Sequence, residues 1–135
     1  MKTFSSTQEL YSIMRSLWTR IGSHEKIAPK LLRSRLVVRF VFDNPEGELL
    51  IDGRDGKELK VHTGGAGPEP DVEMSMDAEV ANEFWRGRLN VPEALIAGRI
   101  RSRGPVHRAL ALLPALKPAF SFYPAVVDSV KGKAA

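Results

Sequence analysis

From Leu36 to Asp77 the chain shows a period of two in four segments divided by turns and a loop. "LVVRFVFD" (36–43) puts Leu36, Val38, Phe40 and Phe42 on one face and is rich in β-branched and aromatic residues. "NPEG" (44–47) reads as a turn, and "ELLID" (48–52) as a strand with Leu49 and Ile51 on one face. "GRDG" (53–56) reads as a hairpin turn whose two glycines tolerate positive φ. "KELKVHT" (57–63) follows with Leu59 and Val61 inward. The loop "GGAGPEP" (64–70) suits no regular element, and "DVEMSMD" (71–77) alternates again, with Val72, Met74 and Met76 on one side. Four strands with one apolar face each cannot stand alone in water. Something must cover that face, and the flanking sequence supplies helices.

Before the strands, "TQELYSIMRSLWTRI" (7–21) spaces Leu10, Ile13, Met14, Leu17 and Ile21 as the stripe of an amphipathic helix. Ser6 and Glu9 fit a capping box. Pro29 interrupts any helix in the polar segment that follows. After the strands, Asp77 is placed to cap "AEVANEFWRG", which Gly87 ends. Asn90 caps a short helix with Pro92 in its first turn, and Gly98 lies past its end. "RIRSR" (99–103) reads as a fifth strand, "VHRALALLPALK" (106–117) as a last helix and "VKGKAA" as a frayed tail. The order predicts an α+β fold: one largely antiparallel sheet with helices on one face.

Charge narrows the function classes. Residues 1–42 carry a net +6, residues 43–85 a net −9 and residues 86–135 a net +7. An acidic centre between basic flanks suits internal pairing, whereas a nucleic-acid binder keeps its basic surface uncompensated. No nucleic acid is therefore expected as a partner. The chain has no cysteine, which removes disulfides, thiol catalysis and Cys-based metal sites. His24, His62 and His107 have no metal-ligand spacing, so no metal is expected. The glycine loop lacks the Gly-Lys-Ser/Thr of a phosphate-binding loop and reads as a flexible connection at a cavity rim. Glu48, Asp52 and Asp55 have no spacing that recommends acid–base work, and no catalytic residue is assigned.

The stretch "DVEMSMDAEVANEFWRGRLNVPEALIAGRIRSRGPVHRALALL" resembles the sterol carrier protein type-2 (SCP2) lipid-binding domain family. Asp71, Asp77, Gly87, Arg88, Leu89, Pro92, Ala94, Gly98, Arg99, Ile100, Arg101, Arg103 and Gly104 fall in register with that family's pattern, and the likeness spans about residues 35 to 127. It implies a five-stranded mixed sheet and an apolar tunnel between sheet and helices that takes acyl chains, sterols or similar lipids. It implies no cofactor, no metal and no chemistry. Residues 1–34 then form a helical segment packed on the core, 35–130 the lipid-binding domain and 131–135 a tail.

On that resemblance the tunnel is expected between Phe40, Phe42, Met74 and Met76 on the sheet and Phe84, Trp85, Leu95, Leu110, Leu113, Phe120 and Phe122 on the helices. Ile100 and Ser102 of the fifth strand face it, and Ser102 is polar where the family has an apolar residue. "ALALLPAL" (109–116) is apolar almost all round, which suits either a packed core or a tunnel wall. Burying about ten ligand methylenes would contribute about 8 kcal/mol before association entropy. With the fifth strand beside the fourth, Arg99, Arg101 and Arg103 share a face with Glu73, Ser75 and Asp77 and are expected to pair with them.

The leading expectation is a non-catalytic cytoplasmic carrier of a fatty acyl, sterol-like or isoprenoid ligand. An accessory module of a lipid-related pathway and a small enzyme acting on a lipophilic substrate through Ser102 stay open, as does a homodimer. Weak contact with anionic membrane is expected through Arg108, Lys117 and the "KGK" tail. The ending "GKAA" differs from the Ser-Lys-Leu-like address of peroxisomal members.

Overall fold

The alternating segments form one sheet. A computed structural model describes residues 2–134 and places β1 at Val37–Asp43, β2 at Gly47–Asp52, β3 at Lys60–Thr63, β4 at Val72–Asp77 and β5 at Ile100–Arg103. Their order across the sheet is β3-β2-β1-β4-β5. The β1–β4 pair at the centre is parallel, with Phe40 opposite Met74 and Phe42 opposite Met76. The other three pairs are antiparallel. The predicted five-stranded mixed α+β architecture is borne out. The helices are α1 (Thr7–Gly22), α2 (Ala28–Ser34), α3 (Ala78–Trp85), α4 (Val91–Ile96), α5 (Val106–Leu110), α6 (Leu113–Leu116) and α7 (Ala119–Ala134).

The parallel pair explains the glycine loop. Because β3 and β4 run in the same direction on opposite sides of β2 and β1, residues 64–71 must cross both strands. They cross on the face away from the cavity. Leu50, between the inward Leu49 and Ile51, points to that outer face and is nevertheless buried. Gly67, at φ 103°, lies over it: a Cβ there would meet Leu50 and His62 at 3.1 Å each. The loop is thus a cover for the outer face, not the cavity rim expected from sequence. Asp71 closes it by accepting from the Val37 N–H at 2.9 Å, and Gly104 packs so tightly on Asp71 that a Cβ would overlap the Asp71 carbonyl oxygen.

α1 buries the predicted stripe of Leu10, Ile13, Met14, Leu17 and Ile21, together with Trp18. Full burial contributes about 1.5–3 kcal/mol per side chain of this size. Ser6 caps the helix by accepting from the Glu9 N–H at 3.1 Å. The return half of the capping box is not made. The Glu9 carboxylate accepts instead from the Ser5 N–H and from Lys131 Nζ of α7 at 2.8 Å. The Lys131 bond first, then the Ser5 bond, holds the Glu9 carboxyl below the usual glutamate range.

Prolines account for most of the other differences. Pro29 does not interrupt a helix but starts α2, where its missing N–H has no intrahelical partner to lose. Pro114 likewise opens α6. The single last helix expected at 106–117 is two short ones, and Ala119 begins a third of 16 residues that carries Pro124 inside it. The expected tail from Lys131 continues that helix to Ala134, and Ala135 lies outside the described residues. β3 begins at Lys60 rather than Lys57, because Asp55 accepts from the N–H groups of Lys57 and Glu58 and holds them in a turn. Gly56 takes φ 71°, whereas Gly53 needs no positive φ and is buried against the Leu36 carbonyl and Leu59.

Candidate functional site

An apolar cavity of about 110 Å³ lies between the inward face of the sheet and helices α1 to α6. Every residue lining it except Ser34 is apolar. The sheet floor consists of the side chains that the period of two sends inward: Leu36, Val38, Phe40 and Phe42 before and along β1, Leu49 and Ile51 on β2, Met74 and Met76 on β4, and Ile100 on β5. Phe84 and Trp85 close it from α3, and Leu110 and Leu113 from α5 and α6. Ser34 is satisfied internally. Its hydroxyl donates to the Leu31 carbonyl at 2.6 Å and accepts from the Leu36 N–H at 3.2 Å.

Nine of the thirteen predicted tunnel residues line this space, and four do not. Phe120 sits in a second layer, edge-on to Phe84 with ring centroids 5.3 Å apart and close against Gly87. Phe122 faces the other way on α7. The Arg20 guanidinium lies 4.5 Å above its ring centre and His24 stacks on it at 5.9 Å. Leu95 packs on the core without reaching the cavity. Ser102 stands opposite Met74 on β5, half-exposed and outside the lining.

Sequence reasoning missed the part of the wall that comes from residues 1–34. Met14 and Trp18 of α1 and Leu31 and Ser34 of α2 all line the cavity. Trp18 meets Phe40 at 6.2 Å and stands edge-on to Trp85 at 5.6 Å. The available signal was α1 itself: Trp18 adjoins the predicted stripe at Leu17 and widens it toward the sheet. Behind the cavity, Tyr123 is buried and donates to Asn82 Oδ1 at 2.8 Å, and Arg86 Nε donates to the same oxygen at 3.2 Å. Burial pushes the Tyr123 phenol well above its ordinary pKa and keeps it a neutral donor.

The arginine row does not pair as expected. Arg103 stands opposite Glu73 and Arg101 opposite Ser75, yet Glu73 pairs with Arg39 at 3.7 Å and Arg99 with Glu83 at 2.8 Å. Asp77 is occupied by the Glu79 N–H and the Asn44 amide. Arg101 and Arg103 have no ion pair among the described residues. The "KGK" segment is also less free than expected, since Lys131 holds Glu9 and the Thr3 carbonyl. Among the described residues no three His, Asp or Glu side chains are grouped to hold a metal, and no single helix is long and apolar enough to cross a membrane.

A mixed five-stranded sheet with its helices packed around an apolar cavity defines a class of small α+β domains. No protein-family model and no curated protein matches the chain. Solved structures do. The sterol carrier protein domain 2 of Helicoverpa armigera is 25% identical, with 84% of this chain and 89% of that one covered and a TM-score of 0.66. Palmitated SCP2L2 from Aedes aegypti is 23% identical over 78% and 91% of the two chains, TM-score 0.58. The UbiJ-SCP2 ubiquinone synthesis protein is 20% identical over 82% and 91%, TM-score 0.59. The chain is SCP2-like, and the resemblance carried by residues 71 to 104 is borne out.

Proposed function

We propose that this protein binds an apolar lipid, of fatty acyl, sterol-like or isoprenoid type, in the cavity and carries it without chemical change. The observation that carries the reading is the lining: a continuous apolar wall whose one hydroxyl is already bonded to the backbone. The palmitated relative supports it. No lining side chain among the described residues is titratable, and the one lining hydroxyl, Ser34, is engaged with the backbone on both sides.

The volume adds a requirement. An apolar cavity of about 150 Å³ holds a benzene. A space of about 110 Å³ is therefore too small for a long acyl chain as it stands. The ligand enters by pushing α5 and α6 outward. α5 buries no side chain fully, Pro114 marks the break before α6, and one side-chain hydrogen bond ties α5 to α2, from Arg108 to the Ser34 carbonyl. Titration of delipidated protein with a fluorescent fatty acid gives saturable uptake at micromolar affinity or better. No saturable uptake overturns the reading.

The ubiquinone synthesis relative favours a second reading, an accessory module that presents lipid within a biosynthetic assembly. Native mass spectrometry of the purified protein separates the two. A co-purified lipid on a monomer supports the carrier, and an empty, tight oligomer supports the module.

A further inference from the structure

Among the described residues, Ile96 is the one large hydrophobic side chain that stands exposed, at 89%. It ends α4, in a run from Ile96 to Arg99 that is exposed throughout, and a Cβ at Gly98 would meet no atom within 4 Å. Beside it, α4 and the segments on either side form a groove of about 200 Å³. Arg88 and Arg99 line that groove together, with Glu93 as its one carboxylate. Ala97 of the same lining adjoins Ile96, and Glu93 stands three residues before Ile96 on the same side of the helix. We propose that this edge docks on an anionic lipid bilayer, with Ile96 entering the interface and Arg88 and Arg99 on lipid phosphates. The inference is independent of what occupies the cavity.

Charge and area together favour a bilayer over a protein. Residues 83–103, which supply the groove, α4 and β5, carry five arginines against two glutamates, a net +3. Arg88 has no carboxylate within 4.0 Å among the described residues. Arg99 commits one donor to Glu83 at 2.8 Å and keeps four. Asn90, also in the lining, spends its side chain on capping α4. A planar guanidinium matches phosphate oxygens in pairs, and an arginine near an anionic leaflet gains about fivefold in affinity. A stable protein interface instead buries about 800 Å² per side around an apolar centre. Here a single isoleucine protrudes, followed by Ala97 and Gly98, which suits a side chain dipping into a headgroup layer. Leu89 lines both this groove and the cavity, so a bilayer docked here lies against the cavity wall.

The chain has no cysteine, so Ile96→Cys can carry a single environment-sensitive fluorophore. Its emission should shift to the blue with vesicles of mixed phosphatidylglycerol and phosphatidylcholine, and not with phosphatidylcholine alone. The same label at Ala66→Cys, on the loop over the outer face, should not shift with either. Cosedimentation with the mixed vesicles measures the affinity. Ile96→Ser should weaken it about tenfold, and Arg88→Gln with Arg99→Gln about tenfold or more. Ile96 is too exposed for its replacement to disturb folding. Arg108→Gln with Lys117→Gln removes the same charge elsewhere and should weaken binding less than about threefold. No blue shift at Ile96→Cys, or an equal loss in the two double variants, overturns the inference. So does a wild-type dimer that Ile96→Ser dissociates without vesicles, since the side chain then belongs to an interface with a second copy.

Discussion

An empty apolar cavity should be measurable as lost stability. At about 24 cal/mol per Å³, a void of about 110 Å³ costs about 2.6 kcal/mol. Ala109 lines that void from α5, and Ala109→Leu keeps helix propensity while pointing three more carbons into it. If the space is empty in the ligand-free protein, the variant should gain about 1–2 kcal/mol, part of the 2.6 kcal/mol and within the transfer energy of the added carbons. In a chain of this size that raises the melting temperature by about 3–8 °C. The same side chain should weaken uptake of a fluorescent fatty acid, since ligand and leucine compete for one volume. The sign decides the matter. A space already filled by relaxed side chains makes the substitution an overpacking one, which destabilises by about 1–3 kcal/mol. A variant that melts lower than wild type and still takes up fatty acid refutes the reasoning.

Two further outcomes test the frame around the cavity. Gly104→Ala puts a Cβ into the Asp71 carbonyl at φ 87°, so it should cost at least about 2 kcal/mol in chemical denaturation, where Gly132→Ala, in α7 with open space around it, should stabilise by up to about 1 kcal/mol. Glu9→Gln removes the α1–α7 ion pair and should cost about 0.5 kcal/mol at neutral pH. Because the folded-state pKa of Glu9 is lowered, its contribution is complete above about pH 4.5 and fades as pH falls through that lower value. The difference between wild type and variant in acid denaturation should close over that range, and a constant gap would count against the pair.

Much of the fold is readable because its strands send apolar side chains inward with a period of two. The period of two in residues 36–43, 48–52 and 71–77 assigns the inward side chains, and the cavity floor consists of them. The caps at Ser6, Asp77 and Asn90 are equally legible, since each makes the backbone contact its residue type favours. What local pattern cannot convey is which far segments meet. Met14 and Trp18 of α1 and Leu31 and Ser34 of α2 reach the cavity, a placement without local trace in residues 1–34. Phe120 and Phe122 are two residues apart on a helix and so point in different directions, one behind Trp85 and one against Arg20. Both are expected from sequence on the helical wall of the tunnel, because apolar character alone does not reveal that difference. Three prolines hid α7 and its neighbours, because proline at a first helical turn and proline as a breaker look the same in sequence until the hydrogen bonds are known.

The unpaired arginines of β5 have a consequence for the solution life of the protein. β5 closes one side of the sheet, and its outer row of N–H and C=O groups faces no further strand among the described residues. Such a row invites another chain to add itself. A second copy aligned there would bring Arg101 and Arg103 against the same exposed guanidinium groups of its own β5, like charges with no acid between them. Arg101 and Arg103 therefore disfavour self-templating at this edge, because like charge meets like charge there.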